Sequence, residues 1–197
     1  MYTQSGVQCR SRAPDTVELV APSRPLPIDP LAEAKRQWVA HGWTDAADGM
    51  TAVISVMRAQ QLLLARVDAA LKPFALSFAR FEVLRLLAFS REERLPLSSV
   101  VARLQVHATT VTSTAERLIR DGLIVREPHP HDGRAAMLAL TERGRALVER
   151  ATDALNAEVF AEPGLSEEDT TDLVAIVARL RRDAGDFTDP RPQPDPL

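Results

Sequence analysis

The sequence predicts a mainly α-helical domain with one small β-hairpin, and three observations lead there. Of its 197 residues 45% are hydrophobic but only 5% aromatic, enough for a core yet poor in the aromatic side chains that sandwiches and barrels draw on. Apolar residues recur at three- and four-residue steps through most of the chain, the period of an amphipathic helix. Beyond Gly122 alone the period shortens to about two, on either side of a turn-rich segment.

Residues 1–29 scatter Pro14, Pro22, Pro25 and Pro27 among polar side chains, too little contiguous apolar surface to offset ordering entropy, and read as a disordered tail. A first helix starts at Pro30, with Asp29 as cap, proline at the first helical position, and Leu31, Ala34 and Trp38 on one side. Gly42 ends it. A longer helix spans about 46–72 through Val53, Val56, Met57, Gln60, Leu63, Leu64, Val67 and Leu71, and Pro73 stops it. Ser77 caps a third, carrying Phe78, Phe81, Val83, Leu84, Leu87 and Ala88.

Two short helices joined by a tight link come next. The first carries Val100, Val101 and Leu104; the second starts near His107, buries Val111, Ala115, Leu118 and Ile119, and ends on Gly122 in the position after a helix cap. The hairpin strands are 123–127 and 136–141, with Asp132-Gly133 as the turn dipeptide at the tip. Thr141 caps a helix over about 142–160, and Ser166 with Asp169 caps a last one ending at Arg182. Residues 186–197 hold Pro190, Pro192, Pro194 and Pro196 and read as a second disordered tail.

Helix, tight link, helix, hairpin is the order of a winged helix-turn-helix. In such a unit the second helix enters the major groove, its N-terminal side chains reaching base edges and its amides facing phosphates. His107, Thr109, Thr110, Thr112, Ser113 and Arg117 are the candidates here: small hydroxyl side chains permit close approach, and threonine methyls can touch thymine. Four threonines in six positions (109, 110, 112 and 114) are a poor choice on helix propensity alone. At the hairpin tip Arg134 can enter the adjoining minor groove with Asp132 bracing it. His129 and His131 lack cysteine or settled carboxylate partners, so no metal site is expected of them.

The run from Leu95 to Glu149 resembles the DNA-binding core of MarR-family transcriptional regulators, down to the wing pattern Asp132, Arg134, Leu140, Thr141 and Gly144. The resemblance implies a homodimer built from residues 30–185, with dimerisation helices at about 30–72 and 143–184 and the winged helix-turn-helix at about 77–142. It also implies a repressor that reads a pseudo-palindromic operator in double-stranded DNA and is released by a small aromatic or acidic effector. The extra first helix with Trp38 is similar to that of the metabolite-responsive branch, in which such a tryptophan reaches the effector pocket. Trp38, Arg58, Phe81, Glu82 and Arg85 are the pocket residues so implied, with Arg80 as a further anion anchor. That branch has an aspartate in the helix that here holds Glu82, and an arginine where this chain has Thr114.

Independently, the helices at 46–72, 145–162 and 168–182 carry more apolar surface than a small winged core covers, which favours pairing of two chains. Charge is uneven: residues 1–50 balance at -1, residues 51–150 at +5 and residues 151–197 at -7, so a local positive face survives an overall net charge of -3. The single Cys9 permits no intrachain disulfide, no apolar run approaches a membrane span, and a reducing cytoplasm is the expected setting. No nucleophile elbow, phosphate-binding glycine loop or metal-ligand set is present, so neither enzymatic activity nor a cofactor is expected. The same fold also serves as a protein-interaction module or as a DNA binder without effector, and sequence alone does not separate these.

Overall fold

The computed structural model describes residues 25–105, 107–129 and 136–187. Two compact units divide the chain, one ending at Leu62 and the other beginning at Leu63.

In the first unit, α1 (Pro30–Ala40) starts as expected, the Asp29 carboxylate accepting from the Leu31 amide at 2.9 Å. It ends on Gly42, whose φ of +84° L side chains rarely adopt. Gly42 N–H donates to the Val39 carbonyl and Trp43 N–H to the Trp38 carbonyl, both at 3.0 Å, closing a Schellman turn. The apolar contact that accompanies such turns is the edge-on pair Trp38–Trp43, with centroids 5.2 Å apart. Helix α2 (Thr44–Leu71) begins two residues before the apolar pattern does, because Thr44 and Asp45 contribute nothing to that pattern. Residues 25–29, inside the expected tail, are exposed and irregular, with Asp29 serving as the cap.

In the second unit, a 3₁₀ turn (Lys72–Phe74) containing Pro73 follows α2, and α3 (Phe78–Phe89) starts with the Ser77 hydroxyl accepting from the Arg80 amide at 3.4 Å. Then come β1 (Arg94–Pro96), α4 (Leu97–Leu104), α5 (Ala108–Arg120), β2 (Ile124–Pro128), β3 (Ala136–Leu140) and α6 (Glu142–Leu155). The last turn of α6 widens into a π-helical turn over Asn156–Phe160, and α7 (Glu167–Asp183) closes the chain. Leu71, Leu84, Leu87, Val100, Leu118, Ile124, Leu138 and Leu155 are fully buried, so one core joins α3, α4, α5, the sheet and α6.

The expected two-stranded hairpin is part of a three-stranded antiparallel sheet in the order β1-β3-β2. Arg94 pairs with Ala139 and Pro96 with Met137 on one side of β3, while Ile124 pairs with Leu140 and Pro128 with Ala136 on the other. Strand β1 escapes a reading by alternation because it is three residues long and ends in proline, which has no N–H to donate and suits an edge.

Three local devices fix the geometry around α5. Its C-terminus is a second Schellman turn: Gly122 N–H donates to Ile119 O and Leu123 N–H to Leu118 O, both at 2.9 Å, with Gly122 at φ +69°. Thr141 then serves two helices at once. Its hydroxyl accepts from Gly144 N–H at 3.0 Å, capping α6, and its single proton is shared between the Gly122 and Leu123 carbonyls at 2.9 and 3.0 Å, tying α6 to the end of α5. Finally, Arg80 donates to the Ala75 carbonyl at 3.0 Å and pairs with the C-cap carboxylate of α5, Asp121.

At the far end of α6, the Arg66 guanidinium donates to the carbonyls of Glu158 (3.1 Å), Glu162 (2.8 Å) and Pro163 (2.9 Å), which the end of a helix would otherwise leave without a donor. The Ser166 cap of α7 is as expected: the Asp169 amide donates to its hydroxyl at 3.1 Å, and the hydroxyl donates to the Asp169 carboxylate at 2.7 Å. Asp186 and Phe187, at the start of the expected second tail, are described: Asp186 N–H donates to the Arg181 carbonyl at 2.9 Å and Arg181 lies over the Phe187 ring. Among the described residues no helix is long and apolar enough to cross a membrane.

Candidate nucleic-acid interface

Helix α5 is sharply two-sided. Val111, Thr114, Ala115 and Leu118 face the core, while Thr109, Thr110, Ser113 and Arg117 lie on the opposite, exposed face at three- and four-residue steps. The structure thus gathers four of the sequence-derived candidates onto one surface. Glu116 and Arg120 border them. Arg117 has no carboxylate partner among the described residues.

Two hydroxyls on α5 make local bonds. Thr112, half-buried, donates to the Ala108 carbonyl at 2.8 Å, and Ser113 donates to the Thr110 carbonyl at 3.0 Å; in each the oxygen keeps acceptor capacity. Thr114 faces inward at 8% exposure, so one of the four threonines that weighed in the sequence reading serves packing. His107 occupies the N-cap position but makes no side-chain cap bond; only its backbone carbonyl receives Thr110 and Val111 N–H. The exposed His107 imidazole therefore sits beside a helix start whose first amides no side chain has capped.

Asp132, Arg134 and His131 lie outside the described residues; the two strands they connect, β2 and β3, are described and pair from Ile124 with Leu140 to Pro128 with Ala136. His129 is described, half-buried at the end of β2; among the described residues no group of three His, Cys, Asp or Glu converges as metal ligands would. Arg126 is a basic residue that pattern reading missed. It is exposed on β2, without a carboxylate partner among the described residues, although the register pairs it with the buried Leu138, so its exposure is not readable from strand alternation.

The residues expected to line an effector pocket fall in both units. Trp38 packs on Trp43 beside a cleft of about 380 Å³, and Arg58, whose Nη1 donates to Gln61 at 3.1 Å, borders a different groove of about 500 Å³ with Leu31, Ile54 and Met57. Phe81 belongs to the core of the second unit and stacks on Phe78. Arg85 is paired with Glu149 at 2.5 Å and lies over the Phe89 ring, and Arg80 is paired with Asp121, so both anion anchors already hold an internal carboxylate.

Glu82 is half-buried, and its removal from water pushes the carboxyl above the usual range. A folded-state value above the unfolded one destabilises the fold once the group is ionised; the deficit is absent below the unfolded value and complete above the folded one. Glu82→Gln is therefore expected to be more stable than the parent at pH 7.5 by under about 1 kcal/mol, since a half-exposed group is screened. The difference should vanish as urea titrations are taken down to pH 4, and a gap that widens on acidification would contradict this account.

Residues 76–135, the stretch that holds α3, α4, α5 and β2, match the family model described as MarR family. Sco5413, a MarR family transcriptional regulator from Streptomyces coelicolor, is 44% identical, with 72% of this chain and 99% of that one covered at a TM-score of 0.65. The chain belongs to the MarR family. It is a DNA-binding transcriptional regulator of that family, and a related MarR protein has been solved with DNA. Sco3205 from the same organism, solved in complex with DNA, is 25% identical over 76% of this chain and 90% of its own, at a TM-score of 0.61. BpsR of Bordetella bronchiseptica, whose structure concerns regulation of its DNA binding by 6-hydroxynicotinic acid, is 26% identical over 64% of this chain and 89% of its own, at a TM-score of 0.58.

Proposed function

We propose that this MarR-family chain works as a homodimeric repressor that reads a pseudo-palindromic operator with two copies of α5 and is released by a small organic anion. The observation that carries the reading is the exposed face of α5, where Thr109, Thr110, Ser113 and the unpaired Arg117 stand over a fully packed underside. Small hydroxyl side chains let the helix approach base edges, and Arg117 supplies the cation for phosphate or guanine. The uncapped start of α5 offers amides to a backbone phosphate. On this reading β2, β3 and the tip with Asp132 and Arg134 form the wing over the minor groove. Release by an effector has its support in the ligand-regulated DNA binding of BpsR.

Dimerisation is supported by α7, which buries none of its 17 residues and exposes Val174 at 64% and Leu180 at 61%. Val53, Val56 and Met57 are likewise exposed on α2. Lone chains seldom leave so much apolar surface to water, and a two-fold partner would cover it. Val174→Asp with Leu180→Asp is expected to convert dimer to monomer in light scattering at micromolar concentration, and to reduce operator affinity at least a hundredfold because two linked half-sites become one. A double variant that remains dimeric would place the interface elsewhere.

The experiment that tests the whole reading is a gel-shift titration against the gene's own upstream DNA, at two salt concentrations and with unrelated DNA as competitor. Nanomolar, competitor-resistant binding that weakens steeply with salt is expected. Failure there and on a genomic fragment library would overturn it.

A further inference from the structure

A cleft of about 570 Å³ opens in the second unit between the C-terminal end of α5, the first half of α6, the start of α3 and the 3₁₀ turn. Four arginines line it: Arg80, Arg120, Arg143 and Arg150, against one carboxylate, Asp121. Asp121 is taken by Arg80, and Arg120, Arg143 and Arg150 have no carboxylate partner among the described residues. Arg80 also keeps a buried Nε–H without an acceptor. Phe74 and Leu147 supply apolar lining, and Arg150 already sits over the Phe74 ring at 5.6 Å.

Like charges gathered in a concave site repel one another, and the field they focus is relieved only by an anion. Surface arginines ordinarily point apart into water or pair with carboxylates; here three uncompensated guanidiniums border one cleft of ligand size. Guanidinium groups bind phosphate and carboxylate oxygens through two parallel hydrogen bonds, and an aromatic wall accepts a flat body.

We propose that this cleft is a binding site for an organic anion with two or more negative charges on a flat apolar body, of the aryl phosphate class. The charged group lies among Arg120, Arg143 and Arg150, and the body packs on Phe74 and Leu147. Asp121 acts as an internal competitor that holds Arg80 until an anion arrives. The site does not depend on the DNA-reading role of α5, and the test uses protein without DNA.

The probe is 1-naphthyl phosphate, titrated calorimetrically into the full chain, with 1-naphthol and inorganic phosphate as the two halves of the ligand. Binding tighter than roughly 100 µM is expected, with each half at least tenfold weaker. Arg143→Ala, at an exposed position, should weaken the probe at least tenfold, and Ala146→Trp should block it by filling the cleft while leaving every charge in place. Asp121→Asn should tighten it severalfold. Melting curves accompany each variant to show that it folds. Absence of heat up to millimolar probe, equal affinity for inorganic phosphate, or binding unchanged by both Arg143→Ala and Ala146→Trp would overturn the proposal. Because DNA is absent, failure here leaves the operator experiment untouched, and failure there leaves this site standing.

Discussion

Replacing Gly144 by alanine is expected to destabilise the chain by about 3 kcal/mol or more, a large effect for one added methyl group. A Cβ at this position would lie 2.0 Å from the Leu123 carbonyl oxygen and 3.0 Å from its carbon. Neither can step aside. The Leu123 carbonyl accepts from the Thr141 amide at 3.1 Å and its hydroxyl at 3.0 Å, and its residue is held by the Schellman turn that ends α5. Relief therefore requires moving α6 away from α5, which breaks the Thr141 cap and opens the core around Val148 and Ala151. A fall in melting temperature of about 6–12 °C follows for a chain of this size. Gly49 is the control: it lies within α2 at an ordinary φ with nothing within 4 Å of a Cβ, so Gly49→Ala should gain about 0.5–1 kcal/mol. If both variants melt together, the close approach at Gly144 does not matter.

Arg117→Glu is expected to cut operator affinity by a factor of about 10²–10⁴ while leaving the melting temperature and the dimer intact. The side chain is exposed and unpaired, so the folded chain loses little by the change. On DNA the same side chain would stand in a groove walled by phosphates, and a contact worth about 1–3 kcal/mol is lost once in each half-site, with repulsion added. The slope of log affinity against log salt should shallow by about two if both contacts are to phosphate. A shift in preference among operator variants with an unchanged slope would instead mean that Arg117 reads a base. Unaltered binding would remove α5 from the groove.

Much of this fold was legible because its signals are local. Asp29, Ser77, Thr141 and Ser166 are capping residues whose role depends on the next three positions, and each caps as expected. Gly42 and Gly122 mark helix ends for an equally local reason, a left-handed φ. The exposed face of α5 followed from a period of 3.6, although Thr114, counted among the threonines of that helix, is claimed by the core.

What stayed hidden is non-local. Strand β1 becomes a strand only through β3, more than forty residues later. Arg66 reaches carbonyls some ninety residues away, and Arg80 and Arg85 find Asp121 and Glu149 across the core, so nothing near these arginines in sequence shows that they are already engaged. The MarR resemblance suggested Arg80 and Arg85 as free anion anchors; a partner supplied by a distant element, not composition, is what separates an occupied guanidinium from an available one. The cleft around Arg120, Arg143 and Arg150 was invisible for the same reason: three helices and a turn must meet before it exists.

The strand order β1-β3-β2 also governs when the reading head can exist at all. Both helices of the helix-turn-helix lie in the chain between β1 and β3, inside a loop closed by the pairs Arg94 with Ala139 and Pro96 with Met137. On the ribosome, α4 and α5 emerge before the strand that closes their loop, so a nascent chain that ends short of β3 carries both helices without the frame that aims them. Closure over such a separation is slow compared with helix formation, and afterwards α4, α5 and the sheet should open as one cooperative unit. Their slowest amides are then expected to exchange with solvent at a common rate.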